Sequence, residues 1–212
     1  MNSSVKYKFL ITGFEPFAGF TLNPTELIVD WIKSEKLEDC QINTAVLPVN
    51  TKTVWYKLKT IIEEFCPHVV INLGLSPKRS RISLEKIAIN LLDFDMEDND
   101  GNLIQDIRIN ENSPDAYFSN LPLKLIRKGL QENDIPAKIS YSAGTYLCNQ
   151  VFFNLMDYIR SQKHKILGGF IHVPPVNEMN LPDKFSQFQL PLEQEYEAIK
   201  IACKTILQFY KC

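Results

Sequence analysis

The feature that most limits the fold of this chain is a repeated change from short apolar runs to amphipathic segments. Val69–Leu75 is a predominantly apolar run, as expected for a strand buried on both faces of a parallel sheet. From 51 to 65, apolar residues instead recur at helical spacing. The same change continues along the chain and predicts further strands at 6–14, 44–49, 82–91, 138–142 and 166–173. We therefore expect an α/β fold, a three-layer α/β/α sandwich around a mostly parallel central sheet.

Length and charge narrow the classes of protein to consider. A chain of 212 residues is long enough for one packed core, so a single domain over 1–212 is predicted. The 23 basic and 25 acidic side chains leave a formal net charge of -2, which calls for neither nucleic acid nor an anionic membrane as a partner. No apolar run approaches the roughly 18 residues that a membrane-spanning helix needs.

The cysteines and the first residues indicate a compartment. The five cysteines are an odd number without a CxxC pair, which argues against a disulfide framework and against a thiolate zinc site. Met1–Tyr7 is polar and lacks the basic-then-apolar layout of a secretory signal. We therefore expect a reducing, cytoplasmic location.

Two local patterns predict structure at named residues. Asn23 followed by Pro24 predicts a helix N-cap and the first residue of that helix. Within 82–91 the apolar alternation slips by one residue at Glu85 and Lys86. Such a slip predicts a β-bulge, a feature often found beside active sites.

Cys148 is the candidate nucleophile. It follows a predicted strand and a turn through Gly144, and it falls at the start of a helix, in the region where α/β folds bind ligands. Free N–H groups and the helix dipole favour an anion there, so we expect a lowered thiol pKa and donors for an oxyanion. A structural role stays open, because Cys148 shares helical spacing with the apolar residues Val151, Phe152, Leu155, Met156 and Ile159. Structural or incidental roles are expected for Cys66, Cys203 and Cys212.

A thiol nucleophile needs a base, and the chain has three histidines. His164 lies in a lysine-flanked turn and His68 precedes a buried strand, whereas His172 ends a strand at the expected edge of the sheet. His172 is therefore the candidate base, although a lone histidine in an apolar strand is more often structural. Glu85 interrupts an apolar strand and is the candidate carboxylate that orients the imidazole. The alternative for Glu85 is an edge-strand charge that faces water.

The acidic segment 93–106 invites a calcium-binding interpretation. If Gly101 were the sixth residue of an EF-hand loop, the first ligand would be Met96, which carries no oxygen ligand in its side chain. A solvated acidic loop is the better interpretation, and no metal site is predicted.

Four separated motifs follow one another along the chain. They are Gly13–Phe17 with Asn23 and Pro24, Gly74–Ser80 with Glu85–Asn90, Ser142–Asn149, and Gly169–Pro174. In sequence and in order they resemble the motifs of the pyroglutamyl peptidase I family, the pyrrolidone-carboxylate peptidases. The resemblance covers nearly the whole chain.

The resemblance implies a cysteine exopeptidase that hydrolyses the amide bond after an N-terminal pyroglutamyl residue of peptides. It implies Cys148 as the nucleophile, His172 as general base and then acid, and Glu85 as the residue that orients His172. It implies no metal and no organic cofactor. A homo-oligomer is expected as well, because prokaryotic relatives are often homotetramers.

The substrate explains the type of pocket that the family needs. A pyroglutamyl group is a small, flat, neutral lactam, so its site should offer aromatic faces and amide-type hydrogen bonds. By resemblance, Phe14 and Phe17 bind the ring and Asn23 is a polar pocket residue, although Asn23 could also be only a helix cap. The backbone near Tyr146 and Leu147 would complete the pocket.

Three departures from the family pattern leave alternatives open. Asp95 stands where bacterial members usually have an arginine thought to assist the oxyanion, Leu75 stands where some carry a polar pocket residue, and Pro174–Glu178 differs from the common bacterial continuation. Asp95 therefore leaves open a catalytically impaired member that only binds pyroglutamyl peptides. A transferase similar to purine nucleoside phosphorylases is a third interpretation. Ser76–Ser83 has the composition of a phosphate site, but a nucleophilic cysteine would then be unexplained.

Overall fold

The computed structural model describes residues 7–179 and 189–211. Eight strands lie in this part of the chain: β1 Tyr7–Phe14, β2 Cys40–Leu47, β3 Val69–Leu75, β4 Ile82–Glu85, β5 Ile87–Ile89, β6 Ala116–Phe118, β7 Ala137–Ser140 and β8 Leu167–Val173. Its longer helices are α1 Pro24–Ile32, α2 Val54–Phe65, α3 Leu123–Gln131, α4 Leu147–Ser161 and α5 Leu192–Lys211. Two sequence predictions fall on residues outside this part of the chain. They are Lys6, the predicted first residue of the first strand, and Cys212, for which a structural or incidental role is predicted.

The main sheet has the strand order β2-β1-β3-β8-β4-β7. Strands β2, β1, β3 and β8 are parallel to one another, whereas β4 is antiparallel to β8 and parallel to β7. Helices α1, α3 and α5 pack on one face of the sheet, and α2 and α4 pack on the other. The predicted three-layer sandwich with a mostly parallel sheet is confirmed.

The central strands form because their side chains are apolar on both faces. All seven residues of β3 are buried, as predicted for Val69–Leu75. In β1, Phe9 and Ile11 join the core beneath α1 and α5, while Leu10 and Phe14 join the core beneath α2 and α4. This second face carries the candidate site.

The predicted N-cap of α1 is confirmed. The Asn23 side-chain oxygen accepts a hydrogen bond from the Thr25 backbone N–H at 3.1 Å, and Pro24 is the first residue of the helix. A cap of this kind stabilises a helix by about 1 kcal/mol.

The structure differs from the sequence predictions at three places. The bulge predicted at Glu85 and Lys86 is wrong, because the chain leaves the main sheet after Glu85 and pairs as β5 with β6 in a separate antiparallel sheet. The short strand β6 was not predicted. Strand β2 starts at Cys40 and not at 44, because an edge strand tolerates the polar residues Gln41 and Asn43.

Within the described ranges, no helix has both the length and the apolar character needed to cross a bilayer.

Candidate active site

Cys148 lies in the first turn of α4, above the centre of the sheet. Its Sγ is 2.9 Å from the point where a β-carbon on Gly74 would stand. Gly74 in β3 is registered directly opposite His172 in β8, so both residues present the same face of the sheet. Neighbouring strands are about 4.8 Å apart. The thiol and the imidazole therefore share one small region of that face.

The start of α4 is held in place by side chains on either side of the thiol. Asn149 accepts a hydrogen bond from the Ile89 backbone N–H at 2.9 Å and donates to the carbonyls of Ile89 and Leu91 at 2.8 and 3.0 Å. The Thr145 hydroxyl donates to the Asp93 carbonyl at 2.5 Å. These bonds fix the position of the helix start relative to β5 and to the segment that follows it.

His172 and Glu85 form a buried pair. The imidazole Nδ1 lies 2.8 Å from Glu85 Oε1, and the two residues are 4% and 0% exposed. The pair arises from the antiparallel register of β4 and β8, in which Ser83 lies opposite His172 and Glu85 lies opposite Phe170. Glu85 is thus a diagonal neighbour of His172 on the face that also carries Cys148.

The electrostatics of this pair favour a charged carboxylate beside a neutral imidazole. Burial raises the pKa of Glu85, but the hydrogen bond and charge of His172 and the charge of Arg79 outweigh it, so the pKa lies below its ordinary value. Burial lowers the pKa of His172, and the bond to Glu85 only partly opposes that effect. With Nδ1 donating to Glu85, the other ring nitrogen of a neutral imidazole is free to accept a proton.

The expected lowering of the Cys148 pKa is wrong for this structure. Burial and the negative charge of Glu85 raise the pKa of the thiol to about 12, against smaller lowering effects of Arg79 and of its own backbone N–H. At neutral pH the thiol is therefore protonated before substrate binds, and it needs a base in order to react.

Arg79 is a site residue for which the sequence predicted no role. Its Nη1 donates a hydrogen bond to Glu85 Oε1, and its Nη2 donates to the Ser142 carbonyl at 2.7 Å. A loop residue six positions before a glutamate gives no sequence signal for such a contact. It becomes visible only once the register of β4 and β7 is known.

A family model described as pyroglutamyl peptidase matches residues 7–209. The chain belongs to the pyroglutamyl peptidase family.

Individual relatives agree with this assignment. The pyrrolidone-carboxylate peptidase of Thermococcus litoralis is 43% identical over 95% of this chain and 94% of its own length. That of Pyrococcus furiosus is 42% identical over 95% of this chain and 98% of its own. The solved structure of the T. litoralis pyrrolidone carboxyl peptidase aligns with a TM-score of 0.90 at 42% identity, covering 97% of this chain and 95% of that chain. The predicted family is confirmed, and the comparisons favour a peptidase over the nucleoside-phosphorylase-like transferase.

The pocket residues expected in a pyroglutamyl peptidase differ in their exposure. Phe14, Asn23 and Leu147 are buried, while Phe17 and Tyr146 are partly exposed. The Phe17 and Tyr146 rings lie with centroids 6.3 Å apart. Asn23 caps α1 and also donates from Nδ2 to the Glu15 carbonyl at 3.1 Å. The two partly exposed rings are thus the aromatic surfaces that a ligand can reach.

The acidic segment 93–106 is held against the candidate site by hydrogen bonds. The Asp98 carboxylate accepts the Thr51 N–H at 2.8 Å and the Asn102 N–H at 2.9 Å, and the Tyr146 hydroxyl donates to the Glu97 carbonyl at 3.1 Å. Asp95 is exposed and forms no ion pair with the described residues. In those same residues no group of three His, Cys, Asp or Glu side chains could hold a metal ion.

Gly74 provides the space that the Cys148 thiol occupies, so Gly74→Ala is expected to impair this site. The new methyl group would lie 2.7 Å from Phe170 Cζ and 2.9 Å from Cys148 Sγ. We expect a fall in kcat/KM of about 100-fold, as for a misplaced reacting group, and a loss of about 1–3 kcal/mol in the free energy of unfolding. Steady-state kinetics and urea denaturation measure the two effects.

Gly129→Ala is the matched control for Gly74→Ala. Gly129 lies in α3, and a β-carbon there would meet Ile201 at 3.3 Å. The control should keep its kcat/KM within twofold of the unaltered chain. Equal activity of the two alanine variants would contradict the role given to Gly74.

Proposed function

We propose that the chain is a cysteine exopeptidase that removes an N-terminal pyroglutamyl residue from peptides. The observation that carries the proposal is the placement of a thiol, an imidazole and a carboxylate on one face of the sheet, with 2.8 Å between His172 Nδ1 and Glu85 Oε1. Membership of the pyroglutamyl peptidase family, from the match over residues 7–209, supports the choice of substrate.

The first half of the proposed reaction forms a thioester. His172 takes the proton of the Cys148 thiol as the sulfur attacks the pyroglutamyl carbonyl carbon, and the imidazolium then gives that proton to the departing amine. Glu85 holds Nδ1–H and stabilises the imidazolium while it is charged. The raised pKa of Cys148, to about 12, supports attack that is assisted by a base and not by a thiolate formed in advance.

The second half returns the enzyme to its starting state. A water molecule gives a proton to His172 and its oxygen attacks the thioester carbonyl carbon. The carbon–sulfur bond then breaks, the thiolate takes the proton from His172, and pyroglutamate leaves. Neither half requires a metal or an oxidant.

The start of α4 offers donors for the oxyanion that forms in both halves. The backbone N–H groups of Cys148 and Asn149 have no carbonyl acceptor elsewhere in residues 7–179 and 189–211. Donors at a helix N-terminus stabilise a negative oxygen without reorganising. We assign this role to them in place of a side chain at position 95, where Asp95 carries the wrong charge.

The proposed pocket suits a neutral lactam. The pyroglutamyl ring would lie against Phe17 and Tyr146, with Phe14 behind them, and the Asn23 amide and the backbone at Leu147 would supply polar contacts. The lactam carries no ammonium group, so no carboxylate is needed to bind its α-nitrogen.

A fluorogenic assay tests the proposal. The protein should release aminocoumarin from a pyroglutamyl conjugate and leave the prolyl and glutamyl conjugates largely untouched, since the first lacks the ring carbonyl and the second lacks the ring. Cys148→Ala should abolish release, because no other group in the site can form the acyl-enzyme. Cys66→Ala, which removes an exposed cysteine, is the matched control and should retain full activity.

Two results would count against the proposal in different ways. Full activity of Cys148→Ala would refute the thioester mechanism. A folded unaltered chain that binds pyroglutamyl peptides without turnover would favour the impaired, binding-only member of the family.

The proposal extends to domain organisation, compartment and assembly. We infer a single domain over 1–212, and a cytoplasmic location in which the described cysteines, which are all free, stay reduced. We also infer a homo-oligomer, a tetramer by resemblance to the family. The exposed apolar residues Phe118, Leu125, Tyr141 and Phe209 support a buried contact between subunits. Sedimentation velocity would give the number of subunits.

A further inference from the structure

We propose that Arg79 is a positioning residue that couples the Glu85–His172 pair to the loop leading into the nucleophile. This inference rests on the proposed function, because it assigns a role within that reaction. Arg79 makes two contacts with different parts of the site. Nη1 donates to Glu85 Oε1, the same oxygen that accepts the hydrogen bond from His172 Nδ1. Nη2 donates to the Ser142 carbonyl at 2.7 Å.

The two contacts join the end of β4 to the loop after β7. Glu85 ends β4, and Ser142 lies in the loop that follows β7 and leads to Cys148. Strands β4 and β7 are paired with Glu85 opposite Ser140, and the Ser140 hydroxyl also donates to the Ser142 carbonyl at 3.2 Å. A planar guanidinium suits such a bridge, because its donors point in fixed directions.

The guanidinium also sets the charge balance of the site. Glu85 alone would raise the pKa of both Cys148 and His172, whereas Arg79 lowers both. Burial is the larger cause of the lowered pKa of His172, and Arg79 adds to it, so the imidazole stays neutral and able to accept a proton. Arg79 also limits the unfavourable effect of Glu85 on the thiolate. With a side chain only 18% exposed, Arg79 is partly shielded from the screening effect of water.

The charged and titratable groups that face this site are few. Glu85 is faced by His172 from β8 and by Arg79 from the β3–β4 loop, and Cys148 is faced by Glu85, Arg79 and the Tyr146 phenol. Burial raises the pKa of Tyr146, so the phenol stays neutral. Among the described lysines and arginines, Arg79 is the one within ion-pair distance of Glu85.

Arg79→Met and Arg79→Lys separate the charge from the bridge. Methionine removes both, so we expect kcat to fall about 10- to 100-fold at unchanged KM. The acidic limb of the pH profile of kcat/KM should move to higher pH, because the pKa of His172 rises without the charge of Arg79. Lysine keeps the charge on a single ammonium that cannot make both contacts. It should hold the acidic limb near that of the unaltered chain while kcat still falls several-fold.

The reactivity of Cys148 gives a second measurement that does not need turnover. At pH 8 the Cys148 peptide of Arg79→Met should be alkylated by iodoacetamide several-fold more slowly, as found by mass spectrometry, since the thiol has lost the charge that favours its thiolate. Arg81→Met is the matched control. It removes an exposed arginine two residues away, which has no ion pair in the described part of the chain, and should change neither measurement.

The outcomes distinguish failure of this inference from failure of the proposed function. If Arg79→Met folds with the acidic limb and the alkylation rate of the unaltered chain, Arg79 is only structural and the inference is wrong. If Arg79→Met does not fold, an unchanged kcat in Arg79→Lys would overturn the bridge. If the unaltered chain does not cleave pyroglutamyl substrates, the proposed function fails, while slower alkylation in Arg79→Met still supports the effect on the thiol.

Discussion

Glu85→Gln is expected to lower kcat by about 10⁴-fold, the loss known for replacing the carboxylate of a Ser-His-Asp triad by its amide. Glutamine has the same shape and can still accept a hydrogen bond, but it cannot stabilise an imidazolium in a site that is 0% exposed. Without the negative charge the pKa of His172 falls further, because Glu85 is the group that raises it. The acidic limb of the kcat/KM profile should therefore move to lower pH.

The direction of this movement is an internal check on the electrostatics. Glu85→Gln and Arg79→Met remove opposite charges from one hydrogen-bonded pair, so their acidic limbs should move in opposite directions. Steady-state kinetics from pH 5 to 9, with circular dichroism to verify folding, measure both. Limbs that move the same way would mean that His172 does not set the acidic limb. A kcat within tenfold of the unaltered chain for Glu85→Gln would remove Glu85 from the mechanism.

The sequence predicted the parts of the fold that depend on local pattern. Val69–Leu75 is apolar enough to specify a central strand, and Asn23 followed by Pro24 specifies a helix start. Strand β6 was missed, because a strand of three residues, two exposed and one partly buried, carries little periodicity. The apparent bulge at Lys86 was wrong for a related reason. One apolar run serves two different sheets, and a one-dimensional pattern does not show which partner each half will pair with.

The candidate site was predictable where residue type limits the chemistry, and not where it depends on register. Cys148, His172 and Glu85 were singled out by residue type, by position at an element boundary and by the family motifs. The antiparallel direction of β4, which makes Glu85 a diagonal neighbour of His172, has no signature in the sequence. The contact of Arg79 with Glu85 and the thiol pKa follow from that geometry. Helix position alone predicted a lowered thiol pKa, because burial and the charge of Glu85 were not visible.

A second buried glutamate shows that burial alone does not determine the charge state of this residue type. Glu195, in the first turn of α5, is 0% exposed like Glu85. Neither of its carboxyl oxygens has a hydrogen-bond partner in the described residues, and burial, with a smaller effect of Glu178, raises its pKa well above the ordinary value. Glu85 has two cationic or proton-donating partners, and its pKa is lowered. The charged and hydrogen-bonding partners of each glutamate, and not its depth of burial, therefore set the direction of its pKa shift.

Glu195→Gln is therefore expected to change the pH dependence of stability without changing activity. A carboxyl whose pKa is raised by folding stabilises the protein fully below its unfolded pKa of about 4.3, and this stability is lost as the pH rises towards the folded pKa. The loss amounts to about 1.4 kcal/mol per pH unit within that window. Glutamine does not titrate, so the free energy of unfolding of Glu195→Gln, relative to that of the unaltered chain, should rise from pH 5 to pH 7.

Urea denaturation of Glu195→Gln and the unaltered chain at pH 5, 6 and 7 measures this difference directly. Glu85→Gln is the matched comparison and should behave oppositely, because the stability from a lowered carboxyl pKa is present above the unfolded pKa and lost as the pH falls. The free energy of unfolding that Glu85→Gln loses relative to the unaltered chain should become smaller at acidic pH. Glu195 lies in α5, which packs on the face of the sheet away from Cys148, so Glu195→Gln should keep its kcat/KM. Parallel pH profiles for Glu195→Gln and the unaltered chain would show that Glu195 is ionised in the folded protein, and that a group other than those described neutralises it.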